Sequence, residues 1–347
     1  MRRNITEQQR VDLGNEFAPG APAAVLFWLA EQGRLDSGLI PVSLADFVLS
    51  TICGSEPGAE ITNAMAYGLL NLKSLDWHEE VISGLGLDQL RWPPVRRYRD
   101  IVGYLKIGAD TIPCYAPIGD YQAALAGALL TRQELSLNIS TGSQVSRLTE
   151  GPLLGNYQTR PFFDDEFANL FSHLPAGRSL NVPVDLISEF AMTKHVDVED
   201  IWDYIARAAD DIHDTDLQVN LGFFPGPCGN EGAISSIREK NLTVGNLFRA
   251  SFDNMAENYH KCALRLWPDQ SWERIVFSGG VARKFPLLRA LIEKRLRVKS
   301  RLCPLEEDTL LGLMVLSRVV SGRAGSVRQS MDDLSRHYAS NPPISAG

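Results

Sequence analysis

Three short runs hold residue types that could handle phosphate. Gly119-Asp120 opens a helix of small residues, Gln122 to Leu130, and a carboxylate at a helix start is favourable in itself. Next, a strand from Leu135 to Ile139 enters Ser140-Thr141-Gly142-Ser143 and leaves as another strand. A Ser/Thr/Gly turn between strands offers N–H groups and hydroxyls on one concave face, which suits phosphate. A carboxylate so near a phosphate-binding turn points to phosphoryl transfer from a nucleotide to a hydroxyl. The third run, Ser278-Gly279-Gly280, joins a strand (Arg274 to Phe277) to a helix (Phe285 to Leu296) and lets a ligand approach the backbone. Each run also has a plainer reading: Asp120 as a helix N-cap, Ser140 to Ser143 as a hairpin turn, and the glycines as a tight βα turn.

The elements that position these runs are read from periodicity and breakers. Ala23 to Glu31 and Leu44 to Ile52 are helices, the second capped by Ser43 and stopped by Gly54. Ile61 to Leu72 is mixed in pattern, and Trp77 to Ser83 reads as a short helix. Asp100 to Lys106 is a strand; Pro113 to Pro117 is a loop leading to the Asp120 helix. That order suggests an α/β sheet with ligands at strand C-termini. From Leu135 short strands dominate, which places a domain boundary near residue 130. Residues 155–182 read as loop-rich and aromatic, followed by helices Val184 to Ala191 and Val198 to Ile212, the latter capped by Asp197. Asp216 to Phe224 alternates like a half-buried strand. Thr243 begins the longest helix, with apolar residues from Leu247 to Leu266 at helical spacing. Lys299 to Cys303 is a strand and Thr309 to Val320 a helix. The division expected is 1–130, 131–322 and a polar, partly ordered tail over 323–347.

Composition sets the bounds. The 347 residues are 44% apolar and 22% charged, as in a globular protein of one large or two ordinary domains. A net charge of −8 gives no electrostatic case for nucleic acid or an anionic membrane. No apolar run is long enough to span a bilayer, and the first residues lack a signal-peptide pattern. Five widely spaced cysteines without a C-x-x-C read as reduced thiols of a cytoplasmic protein. The six histidines form no close pair, so no metal site is indicated.

Taken in order, several blocks resemble the FGGY carbohydrate kinases: Gly119 to Ala124, Asn138 to Ser143, the Pro225 to Gly232 loop, Phe277 to Lys284 and Glu306 to Gly312. Asn15 to Leu72, with Trp77 and Pro93-Pro94, is similar to the second half of that family's N-terminal domain. Within the family, Asn138 to Ser146 looks most like the sedoheptulose kinases. The resemblance implies an actin-like, ribonuclease H-like α/β fold, with a partial N-terminal domain that binds sugar and a complete C-terminal domain that binds ATP with Mg2+. It implies that Asp120 is the general base, that Tyr121 and Gln122 contact sugar, and that Ser140, Thr141 and Gly142 contact phosphate. Gly279, Gly280 and Lys284 match the adenosine loop. Tyr121 departs from the family, where Gln is common, and Lys284 stands where Asn is common.

The largest departure is an absence. The family's opening Asp-x-Gly-Thr-Thr turn, which helps hold Mg2+, has no counterpart before Asn15. The chain is therefore expected to begin part-way through the N-terminal domain, leaving the metal ligands unknown. A partner chain or a homo-oligomer would cover the open side. Alone, it is expected to be poorly soluble, oligomeric or mobile over residues 1–115, and not to phosphorylate sugar. The competing expectation is a non-catalytic binder of nucleotide and sugar, or one half of a split kinase.

Overall fold

The computed structural model describes residues 5–195 and 200–340. The elements that matter for function begin with helix α1 (Leu44–Cys53), strands β1 (Ile101–Ile107) and β2 (Asp110–Tyr115), and helix α2 (Asp120–Gly127). Strands β3 (Glu134–Ile139), β4 (Ser143–Thr149), β5 (Gln158–Pro161) and β6 (Phe167–Leu174) follow. Helices α3 (Gly177–Thr193), α4 (Ile201–Asp210) and α5 (Val244–Leu266) come next, then β7 (Arg274–Ser278), α6 (Gly280–Lys284), α7 (Pro286–Leu296) and β8 (Ser300–Leu302). Helices α8 (Asp308–Val320) and α9 (Val327–Ser340) close the described chain.

The chain forms two compact units. The first runs to Leu129 and includes Leu148–Asn169 and the chain from Glu307 onward; the second holds Leu130–Arg147 and Leu170–Glu306. The contiguous division expected from the composition shift differs from this one, because α8 returns to α2. A Cβ on Gly127 would lie 1.7 Å from the Asp308 carbonyl oxygen, and one on Gly312 would lie 1.9 Å from that of Ala123. The helices meet backbone to backbone, closer than the usual 8–10 Å between axes with side chains at the contact.

The expected tail is largely a helix. Val327, Met331 and Leu334 lie on one face of α9 and are buried, and the Ser330 hydroxyl donates to the Val315 carbonyl at 3.0 Å. Asp164 accepts from the Val327 amide at 2.6 Å and from the Tyr98 hydroxyl at 2.7 Å. Residues 341–347 lie outside the described residues.

Other expectations change in the first unit. Among the described residues the strand near Asp100 pairs only with β2, as an antiparallel hairpin, where a loop was expected. Pro113 is tolerated there because a two-stranded sheet has only edges. Trp77 ends a two-residue strand against Leu70, and the helix beyond it starts at Glu79.

In the second unit the strand order is β8-β7-β3-β4-β6, with β7 parallel to both neighbours and β3–β4 an antiparallel hairpin. Leu135, Leu137 and Ile139 of β3 are fully buried. Glu134, at its start, is gripped by Arg301 through bonds of 2.9 and 2.8 Å. Burial works against the Glu134 charge, but the Arg301 and Arg274 guanidiniums hold its carboxyl below the usual range. Helix α5, capped by Thr243, packs Phe248, Phe252, Met255 and Tyr259 inward against α4 and α7. The region expected to be loop-rich holds β6, whose first five residues are buried, and the start of α3. The Asp197 cap lies outside the described residues; the described part of its helix is α4.

Candidate active site

A cavity of about 310 Å3 in the first unit is lined by Asp120, Tyr121, Gln122 and Arg160, with Ser43, Thr62 and Asn63. Asp120 is the first residue of α2, and the N-cap position belongs to Gly119, so the carboxylate is not the cap. It is exposed, and its Oδ1 accepts from the Tyr121 amide at 2.7 Å. The helix entry is fixed from behind. The Gly119 amide donates to Thr62 Oγ1 at 2.9 Å, and Thr62 donates to buried Glu60 at 2.5 Å. Gly119 has a reason to lack a side chain, since a Cβ would come within 2.6 Å of Gln122 Oε1.

Gln122 is 2% exposed and donates to the Pro161 carbonyl at 3.1 Å. Arg160 lies over the Tyr121 ring, 5.2 Å from its centroid. The guanidinium makes a two-pronged pair with Glu16, from Nε at 2.6 Å and Nη2 at 3.1 Å. Burial opposes the Arg160 charge, but Glu16 and then Tyr121 and Asp120 hold its pKa above the ordinary arginine value. On the far wall, Asn63 Nδ2 donates to Ser43 Oγ and Asp46 Oδ2, both at 3.0 Å. Hydroxyls, an amide, a guanidinium and one exposed carboxylate thus converge on a space of small-ligand size.

A second cavity of about 310 Å3 lies within the second unit, lined by Ser140, Thr141, Gly280 and Lys284 together with Arg178, Asn181, Trp202 and Phe285. The turn between β3 and β4 is closed by the Ser140 amide donating to the Gly142 carbonyl at 2.9 Å. Its other carbonyls receive the start of α3: Gly177 donates to Ser140 at 3.0 Å and Arg178 to Thr141 at 2.8 Å. Gly279 has φ +89°, and a Cβ there would sit 2.4 Å from the Ile139 carbonyl oxygen, so the loop presses on the end of β3. Gly280 faces open space. Gly142 and Gly279 shape the cavity without lining it.

Lys284 pairs with Asp203 at 2.5 Å, and that ammonium holds the Asp203 carboxyl below its usual range. Trp202 and Phe285 meet edge to face with centroids 6.0 Å apart, giving the cavity an aromatic wall. Beneath the turn, the buried Tyr259 hydroxyl donates to Ser143 Oγ at 2.8 Å. Among the described residues no group of three or more His, Cys, Asp or Glu side chains could hold a metal ion.

No protein-family model matches the chain. It is 22% identical over 307 residues to the sedoheptulokinase of Homo sapiens, a match covering 80% of this chain and 62% of that protein. The chain therefore spans less than two thirds of the length of this curated relative. Gluconate kinase from Lactobacillus acidophilus superposes with a TM-score of 0.79 at 16% identity, over 95% of this chain and 69% of that one. Plasmodium falciparum glycerol kinase with ADP superposes with a TM-score of 0.72 at 15% identity, over 90% and 65% of the two chains. The fold is that of the FGGY carbohydrate kinases. It is the actin-like α/β fold, and in sequence the chain is similar to the sedoheptulokinases.

Against that FGGY frame, the structure brings Asp120, Tyr121 and Gln122 to one cavity and Ser140, Thr141, Gly280 and Lys284 to another. Sequence reasoning missed Arg160, Thr62 and Asn63 in the first and Arg178, Asn181 and Trp202 in the second. Arg160 carries no local signal, since its partners Glu16 and Tyr121 are remote in sequence. The Pro225 to Gly232 loop turns through a Gly226–Gly229 bridge and contributes no residue to the second cavity. Among the described residues, no helix is long and apolar enough to cross a membrane.

Proposed function

We propose that this chain transfers the γ-phosphoryl group of ATP to a hydroxyl of a sugar, with Asp120 as general base. The sugar occupies the first-unit cavity and the nucleotide the second-unit cavity. The Asp120 carboxylate takes the proton of the attacking hydroxyl while the new O–P bond forms and the β–γ bridging bond of ATP breaks, releasing ADP. Arg160, Asn63 and the hydroxyls of Thr62 and Ser43 hold and orient the sugar, which is most of what phosphoryl transfer asks of a protein. The observation that carries this reading is the exposed Asp120 carboxylate opening on a cavity of hydrogen-bonding groups, anchored through Gly119 and Thr62 to Glu60.

In the second cavity, Trp202 and Phe285 suit an adenine face, and the Ser140-Thr141 hydroxyls suit phosphate oxygens. Gly280 leaves the floor open. The described residues do not build a resident metal site. Mg2+ takes one or two carboxylates and otherwise waters and phosphate oxygens, so here it enters as the companion of ATP in the substrate. The likeness to sedoheptulokinases supports a ketose as acceptor. The test is ADP release by the purified chain against a panel of ketoses and aldoses, with the product identified by mass, and ATP binding measured by calorimetry. Sugar-dependent ADP release with a phosphorylated ketose supports the reading. ATP binding with no turnover on any sugar favours a non-catalytic binder instead.

A further inference from the structure

Four of the five cysteines lie in two pairs, Cys53 with Cys114 and Cys228 with Cys262, and the first pair stands away from both cavities. Cys53 is the last residue of α1, and Cys114 lies in β2. Strand register sets Cys114 directly across from Gly103 of β1. A Cβ on Gly103 would lie 2.5 Å from Cys53 Cβ and 3.0 Å from Cys53 Sγ. The Cys53 side chain therefore occupies the space that the Gly103 side chain would fill. Residues directly opposed in an antiparallel pair project to the same face, with Cβ atoms about 4.5–5.5 Å apart. That brings the Cys53 thiol close to the Cys114 thiol, just past the bulge between Ile101 and Gly103; a disulfide needs the two Cβ atoms about 3.5–4.5 Å apart.

We propose that Cys53 and Cys114 form a reversible disulfide that ties the end of α1 to strand β2. Both thiols are free and half-buried, so a small oxidant can reach either one, whereas in the Cys228–Cys262 pair only Cys228 is half-buried and Cys262, like Cys303, is buried. Partial burial and the neighbouring Cys114 thiol push the Cys53 thiol up. With a low-molecular-weight disulfide as oxidant, the Cys114 thiolate attacks one sulfur and expels one thiolate. Cys53, as it loses its proton, then attacks the Cys114 sulfur of the mixed disulfide and expels the second. In total, two protein thiols become one disulfide, and the oxidant becomes two thiols. The bond joins two supports of the first-unit cavity. Helix α1 starts beside Ser43 and Ala45 in its lining, and β2 leads through residues 116–119 to Asp120.

The test treats the full chain with oxidised glutathione, blocks remaining thiols with N-ethylmaleimide, and maps tryptic peptides without reductant. A Cys53 peptide joined to a Cys114 peptide, lighter by two hydrogens and released by dithiothreitol, is expected. Cys53→Ser should leave Cys114 carrying one glutathione instead. Gly103→Ala, which puts a methyl group where Cys53 sits, should slow cross-linking at least tenfold. Both thiols alkylated after oxidation, separate glutathione adducts on each, or an unchanged rate in Gly103→Ala would overturn the proposal.

Discussion

The Thr62 hydroxyl joins Glu60 to Gly119: it donates to the buried carboxyl at 2.5 Å and accepts the Gly119 amide at 2.9 Å. Thr62 also gives its own amide to the same Glu60 oxygen at 2.8 Å. This chain of bonds fixes Gly119, just before Asp120, so the direction in which the carboxylate leaves α2 is set by a side chain 57 positions from Gly119 in sequence. Thr62→Val keeps the shape and removes the link.

Glu60 makes stability depend on pH. Burial pushes its carboxyl up to about 7 from an ordinary 4.5, even though the Thr62 hydroxyl and amide favour the ionised form. A raised carboxyl favours the fold most when it is protonated in both states, below about 4.5. Stability is lost as pH rises from there, and the loss is complete above about 7, at roughly 3 kcal/mol. Glu60→Gln removes the titration, so the variant should gain roughly 1–3 kcal/mol over the native chain at pH 8 and little at pH 5. Urea melts at the two pH values check this; an equal difference at both would rule it out.

Asp120→Asn tests the proposed base without changing shape. Sugar-dependent kcat should fall by about 10²-fold or more, with ATP affinity little changed, because the amide can no longer take the hydroxyl proton. A kcat near that of the native chain would remove Asp120 from the mechanism.

The neighbouring glycines of the second cavity should behave differently. Gly280 faces open space, so Gly280→Val should fill part of the cavity and weaken ATP binding about tenfold or more, with the melting temperature little changed. Gly279 has positive φ and presses on the Ile139 carbonyl, so Gly279→Ala should cost stability, on the order of 1–3 kcal/mol. Calorimetry for nucleotide and melts for the fold separate the two; a Gly280→Val chain that binds ATP normally would move the nucleotide elsewhere.

What could be read from the sequence follows from how far each signal reaches. Gly279-Gly280 and Ser140 to Gly142 announce turns between strongly patterned elements, and those turns occur where expected. Asp120 stands out because Gly119 precedes it at a helix start. Thr62 falls among a four-residue helix and two-residue strands, which are too short to show any period. Arg160 matters only through Glu16, Tyr121 and the cavity, none of them nearby in sequence. The β1–β2 hairpin was hidden by Pro113 in its second strand. Helix α9 was hidden by polar composition, although Val327, Met331 and Leu334 keep helical spacing.

The last prediction concerns the crossing of α2 and α8. Gly312 has the Ala123 carbonyl oxygen 1.9 Å from where a Cβ would stand, and Gly127 has that of Asp308 at 1.7 Å. Neither atom belongs to a flexible side chain, so an added methyl group can be housed only by moving one helix. Overpacking of this kind costs about 1–3 kcal/mol and sometimes more. Because α2 starts with Asp120, the shift should also disturb the carboxylate. Gly312→Ala should therefore lower stability by about 2 kcal/mol or more and weaken sugar-dependent turnover more than nucleotide binding. Leu313→Ala, at an exposed position on the same helix, should do neither. Denaturant melts with calorimetry of ATP binding on both variants check the pair; a Gly312→Ala chain as stable as the native one would show that the helices can separate without cost.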